Sequence, residues 1–327
     1  MAKVSVIIPS YNCKYVSRTV DNIFANATGE IEVIVILDNY LPNPPIKERE
    51  NLTIIRKEVR TGMRNSINMG AYFATGKYLM KMDDHCAVGK GFDEKLQIDI
   101  KDNWLVIPSR YGLDVLTWKP KWYPICYGFL TYPYNFYDRY RYGIGLFFKK
   151  WEGSQGDNPK NRGVSEYYWK ENERKHLMID DIMIFPGACW FTSKKHFFNI
   201  GGLDGVLYRT LYQEPVELVC KTWLSGGRVV VNKFVWYAHM YKTEDGMPGS
   251  DTHGRGYPLN LHEMRETERL GVTYWMNNCW KPAIHPMEWL IEKFWPIPGW
   301  TENWREEKVI FEKKYMKKEL ELCGIQY

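Results

Sequence analysis

The chain has 327 residues, 45% of them hydrophobic and 25% charged, with a formal net charge of +5. This composition excludes a disordered tail and a disulfide-stapled mini-domain, and it suits one large α/β domain with an appendage. The charge balance falls short of a nucleic-acid-binding tail but favours anionic ligands.

Residues 3–8 (KVSVII) form a β-branched run that predicts a buried parallel strand, ending in the loop Pro9-Ser10-Tyr11-Asn12. Apolar positions at helical spacing follow over 16–24. Residues 30–37 (EIEVIVIL) predict a second buried strand, ending at Asp38-Asn39. After a proline-rich loop at 42–45, a short strand is predicted over 52–55. A helix is predicted over 65–74, stopped by Thr75-Gly76, and a fourth strand over 78–82, with Asp83-Asp84-His85 directly behind it. This alternation implies an α/β fold, a mostly parallel central sheet flanked by helices. Ligands of such sheets bind beyond the carboxyl ends of the strands. Ser10, Tyr11, Asp38, Asp83 and His85 sit at those ends. Neither GxGxxG nor GxxxxGK[ST] occurs, which speaks against dinucleotide and P-loop sites.

Residues 104–170 mix aromatics with Lys and Arg, and repeated Pro and Gly predict an irregular segment rather than a long helix. Residues 152–163 (EGSQGDNPKNRG) read as an exposed loop. A strand is predicted over 182–192, a short helix over 193–200 closing at Gly201-Gly202, and a helix over 217–224 closing at Ser225-Gly226-Gly227. A strand over 228–235 leads to Tyr237-Ala238-His239. The tail, 286–327, is rich in Trp, Glu and Lys and helical toward its end. The seven cysteines are odd in number and lack a CxxC spacing, which points to reduced thiols and a cytoplasmic setting. The N-terminal apolar run ends at Pro9, too short for a signal peptide or a membrane span. With no later run of 18 apolar residues, a soluble protein without integral membrane association is expected.

These motifs resemble the GT-A fold glycosyltransferases. SVIIPSYN and VIVILDN are similar to the large inverting family that includes cellulose and chitin synthases. RTGMRNSINMGAYFATGKYLMKMDDHCAVG (60–89) is closer to the polypeptide N-acetylgalactosaminyltransferase type. FPGACWFTSKKHFFNIGGLD (185–204), QEPVELVCKTWLSGG (213–227) and AHMYK (238–242) follow in that family's order. The resemblance leads to the expectation of a catalytic domain without the family's C-terminal lectin domain. The resemblance implies a catalytic domain over 1–244, with a nucleotide-binding half (1–103), an aromatic and basic insertion (104–170) serving as acceptor site or lid, and a sugar and acceptor half (171–244). Residues 245–327 form a C-terminal extension.

A carboxylate and an imidazole two apart, just past a strand, face one cavity. With His239 as a third ligand, Asp83 and His85 suit Mn2+ or Mg2+, which acts as a Lewis acid on a departing nucleoside diphosphate. Asp84, in the motif's variable middle position, contacts ribose or nothing. Asp38 is expected to accept a hydrogen bond from the base, or else to cap the next turn. Pro9, Ser10 and Tyr11 line the same pocket, and Arg60 and Arg64 steer the donor phosphates or are surface charges. Gly187 and Ala188 stand where the family has Gly-Gly near the sugar, and Trp190 stacks on the sugar or fills the core. Glu214 and Glu217 are the catalytic candidates, sharing one helical face, with Glu217 read alternatively as orienting the helix or binding a donor hydroxyl. Pro215 occupies the place of the inverting family's catalytic Asp, so retention is implied. The donor expected by resemblance is a UDP-sugar. The acceptor is a hydroxyl of a hydroxymethylated base in DNA, of a saccharide or of a protein, and the aromatic and basic insertion suits stacking on either sugars or bases. The competing readings are a nucleotidyltransferase of related fold and a non-catalytic glycan- or nucleic-acid-binding protein.

Overall fold

The computed structural model describes residues 1–134, 146, 148–150, 174–208, 213–240 and 261–325. β1 (Val4–Ser10) pairs in parallel with β2 (Ile31–Asp38) and β4 (Tyr78–Met82), and β2 pairs in parallel with β3 (Leu52–Lys57). β1, β2 and β4 are covered on both faces, so they carry continuous apolar runs instead of alternating ones. Beside β4 lies β11 (Cys189–Ser193), antiparallel both to β4 and to β6 (Trp104–Asp114). β6 in turn pairs in parallel with β12 (Arg228–His239). Two reversals restore direction, so β1, β2, β4, β6 and β12 all end at one edge of the sheet. β10 (Ile179–Asp181) closes the far side, in the order β10-β12-β6-β11-β4-β1-β2-β3. β5 (Cys86–Val88) pairs with the end of β12, and β7 (Lys119–Ile125) pairs with β6. The sheet is therefore mixed, though mostly parallel. β8 (Gly128–Leu130) and β9 (Phe148–Lys150) form a separate pair.

Helices cover both faces. α1 (Val16–Asn26) and α3 (Phe92–Lys95) pack Val16, Val20, Ile23 and Phe92 against Val6, Ile8, Val33 and Val35. On the other face, α2 (Gly62–Phe73) packs Ile67 and Ala71 against Ile7, Ile34 and Ile36. Gly70 permits that approach, since a Cβ there would lie 2.4 Å from Ile7 Cγ2. α4 (Lys194–Asn199), capped by the Ser193 hydroxyl, and α5 (Glu214–Leu224) share this face. So do α6 (Leu261–Met276), α7 (Met287–Lys293), α8 (Trp304–Tyr315) and α9 (Lys317–Leu322). Val272, Trp275, Leu290, Trp304 and Leu320 are buried along these helices, and the first four join the same core cluster as Ile7, so the C-terminal segment enlarges one core.

Several expectations are corrected. Residues 104–114 are a central strand, not irregular insertion. Pro108 is tolerated there because the β12 partner slips register between Asn232 and Trp236, where a missing N–H costs least. Strand structure within 182–192 begins only at Cys189, because Gly187 (φ 80°) and Ala188 (φ 69°) are left-handed. α5 begins a turn earlier than predicted, with Pro215 in its first turn, where the absent N–H breaks no helical bond. β12 runs through to His239. The loop predicted over 152–163 lies outside the described residues.

Candidate active site

The shared strand edge gathers the polar groups. Asp83 follows β4, His85 ends the turn into β5, and His239 ends β12, held beside Cys86 by the β5–β12 pairing. Their ligand atoms lie within 4.8 Å of one another. His85 Nε2 is 3.0 Å from His239 Nε2, which is 3.3 Å from Asp83 Oδ2. Neighbouring ligands on an ion with bonds of about 2.1 Å stand about 3 Å apart, so the trio fits one divalent cation with oxygen and nitrogen donors. Burial pushes His239 down to about 3, against the pull of Asp83, so its imidazole is neutral. Burial alone would raise the Asp83 carboxyl, but Lys81 and the two imidazoles hold it well below the usual carboxylate range. The result is an ionised carboxylate beside neutral nitrogen, the state in which ligands bind metal. Two left-handed residues set the backbone: Asp83 N–H donates to Ala188 O at 2.8 Å, and Tyr237 OH donates to Gly187 O at 2.8 Å.

Lys81, which sequence reasoning passed over, links this trio to α5. Its ammonium is 2.7 Å from Asp83 Oδ1 and 3.1 Å from Glu214 Oε2, at 1% side-chain exposure. Burial opposes its charge, yet the two carboxylates raise its pKa above the ordinary lysine value. Glu214 Oε1 accepts Trp190 Nε1–H at 2.7 Å. The signal was present in YLMKM: a lysine in a buried strand requires a buried anion. Arg110, on β6, was also missed; its Nη2 lies 3.3 Å from His239 Nδ1.

Toward β2, Pro9 and Ser10 are buried at the end of β1 and Tyr11 is half-buried. The Arg60 guanidinium lies 4.1 Å over the Tyr11 ring, and Tyr11 meets Tyr40 edge-on at 6.1 Å. Ser10 also hydrogen-bonds Tyr40 and Asp84.

Four expected contacts change meaning. Asp38 is buried and committed: Oδ1 accepts Thr61 N–H at 2.9 Å and meets Lys57 at 2.7 Å, while Oδ2 accepts Gly62 N–H at 2.8 Å. It caps the start of α2, the alternative to base recognition. Arg64 is no surface charge; it is buried against Glu217 and the Tyr208 ring. Glu217 has no exposed surface, since Arg64, Lys221 at 2.7 Å and the Asp204 N–H at 2.7 Å occupy its oxygens. That cluster ties α5 to α2 and leaves Glu217 no open oxygen for catalysis. Trp190 is fully buried and stacked on Phe197, so no ring face is open to a sugar. All seven cysteines are free thiols, and among the described residues no helix is long and apolar enough to cross a membrane.

Comparison with known proteins fits this geometry. Residues 5–157 match the family described as Glycosyl transferase family 2. The chain is 24% identical over 290 residues to Probable N-acetylgalactosaminyltransferase 7 of Caenorhabditis elegans, covering 84% of this chain and 44% of that protein. It is 26% identical over 253 residues to Polypeptide N-acetylgalactosaminyltransferase 3 of Mus musculus, covering 73% and 37%. The chain thus spans less than half the length of these relatives. The crystal structure of GalNAc-T7 with UDP, GalNAc and Mn2+ is similar in fold, with a TM-score of 0.60 at 16% identity, over 99% of this chain and 55% of that one. Residues 5–157 therefore match glycosyltransferase family 2, the fold is GT-A-like, and the chain is distantly homologous to the polypeptide N-acetylgalactosaminyltransferases over most of its length.

Proposed function

We propose that this chain transfers a sugar from a UDP-linked donor to an acceptor hydroxyl, with a divalent ion, Mn2+ or Mg2+, held by Asp83, His85 and His239. The observation that carries this reading is the trio itself, one ionised carboxylate and two imidazole nitrogens at about ligand spacing on the sheet edge where such folds bind nucleotides. A bound divalent ion supplies neutralisation of the charge on the departing diphosphate. The chain's own residues do the rest. Ser10, Tyr11 and Tyr40 wall the nucleoside side, and Arg60 and Arg110 add positive charge near the phosphates. Lys81 keeps Asp83 ionised and, with Trp190, fixes the Glu214 carboxylate at the start of α5, on the sugar side. Pro215, next to Glu214, offers no general base for single-displacement inversion, which supports retention. The hydroxyl is presented by a saccharide, a protein or a hydroxymethylated base in DNA; much of 104–170, the segment expected to meet it, lies outside the described residues.

Thermal melts with a panel of nucleotide sugars, each with and without Mn2+, test the reading. A ligand at about 100 times its Kd stabilises the native state by about 2.7 kcal/mol. A UDP-sugar is expected to raise the Tm only with Mn2+ present, and Asp83→Ala is expected to abolish the shift. No shift with any donor would overturn the proposal. NMR of the anomeric proton in the product reads retention or inversion.

A further inference from the structure

The middle residue of the Asp83-Asp84-His85 turn is buried, at 4% exposure, where an aspartate between two strands ordinarily faces water. Its two oxygens are both engaged. Oδ1 is 2.6 Å from His85 Nδ1, and Oδ2 accepts the Ser10 hydroxyl at 2.6 Å. A carboxylate only accepts, so His85 Nδ1 carries the proton and Nε2 presents a lone pair. Nε2 is the atom that faces His239 and the candidate cation site.

The chain of donors continues outward in one direction. The Ser10 proton is spent on Asp84, so the Tyr40 hydroxyl must donate to Ser10 Oγ. The Tyr40 oxygen in turn accepts the Cys13 N–H, and the Cys13 thiol donates to the Asp84 backbone carbonyl at 3.4 Å. Ser10 ends β1, and Tyr40 follows β2, so the register of two strands aims this network at one imidazole.

We propose that Asp84 is a positioning residue. It fixes the tautomer and ring orientation of His85 as a ligand for a divalent cation, and Ser10 and Tyr40 hold Asp84 in place. The nucleoside wall and the cation site are thereby one hydrogen-bonded unit. This rests on the cation reading proposed above. Carboxylates behind metal-binding histidines act in this way, and their removal weakens metal binding by about 10–100-fold.

Two readouts on the full chain test it. The first is 15N NMR of histidine-labelled, metal-free protein. His85 should show a protonated Nδ1 and an unprotonated Nε2 in the wild type, and Asp84→Asn should shift that balance. The second is binding of Mn2+ alone, followed by the EPR signal of the free ion. Asp84→Asn should bind about 10–100-fold more weakly than wild type, and Ser10→Ala should weaken binding in the same direction by less. Unchanged His85 nitrogens together with Mn2+ affinity within about threefold of wild type would overturn the proposal. Should Asp84→Asn fail to fold, Ser10→Ala decides: wild-type affinity and wild-type His85 signals refute the network. If the wild type binds no Mn2+, the cation reading fails by itself, while the NMR readout still judges whether Asp84 governs His85.

Discussion

Lys81 lies between two carboxylates of the candidate site, at 2.7 Å from Asp83 and 3.1 Å from Glu214. Lys81→Met keeps the length of the side chain and removes its charge. The buried Glu214 and the partly exposed Asp83 would then face each other without the ammonium between them. Removing one partner of a buried ion pair costs about 3–5 kcal/mol. For a chain of 327 residues, unfolding entropy near the midpoint is about 0.7 kcal/mol per degree, so the Tm should fall by about 4–7 °C. Two controls separate charge from packing. Glu214→Gln added to Lys81→Met removes the second anion and should recover at least part of the loss. Mn2+ should stabilise the Lys81→Met variant more than the wild type, because it restores positive charge beside Asp83. Circular dichroism melts with and without Mn2+ read all three. A Lys81→Met Tm within about 1 °C of wild type would refute the argument that this lysine compensates buried charge.

Two further predictions concern the scaffold. His196 is buried beside Thr222, and burial pushes it down to about 4 from an ordinary value of 6.5. Between those values the unfolded chain takes up a proton that the native state refuses. The stability contribution is therefore intact above about pH 6.5 and is lost as pH falls toward 4, at about 1.4 kcal/mol per unit and about 3 kcal/mol in all. Urea melts from pH 7 to 4 should show His196→Gln with the shallower decline; an identical slope would contradict it. Gly70→Ala places a methyl 2.4 Å from Ile7 Cγ2, on a stiff β-branched side chain of β1. Despite alanine's better helix propensity, a loss of about 1–3 kcal/mol is expected in chemical denaturation, and a stabilised variant would show that α2 lifts off the sheet freely.

The residues that carry the fold were legible because burial leaves a local trace. Runs such as KVSVII and EIEVIVIL could only be two-sided strands, and the polar residues behind them could only lie at one edge. Asp83 and His85 were placed at that edge in this way, and His239 joined them through the family resemblance, although 154 residues separate the two imidazoles. What failed locally failed where tertiary neighbours override propensity. Pro108 disguised a central strand because the compensating register slip belongs to β12. Gly187 and Ala188 ended an apolar run by backbone handedness, which composition does not encode. The roles of polar side chains were the least legible. Asp38, Glu217 and Trp190 looked like ligand contacts, yet their partners are the Thr61 and Gly62 amides, Arg64 and Lys221, and Glu214. Sequence alone marked the first strands of the sheet, the edge where they end and a candidate donor set for a cation, because periodicity and residue chemistry are local. Only the tertiary structure decided which buried polar group is satisfied by protein and which stays open to a ligand. That depends on partners far away in sequence, 153 residues in the case of Arg64 and Glu217, and on the geometry at which packing delivers them.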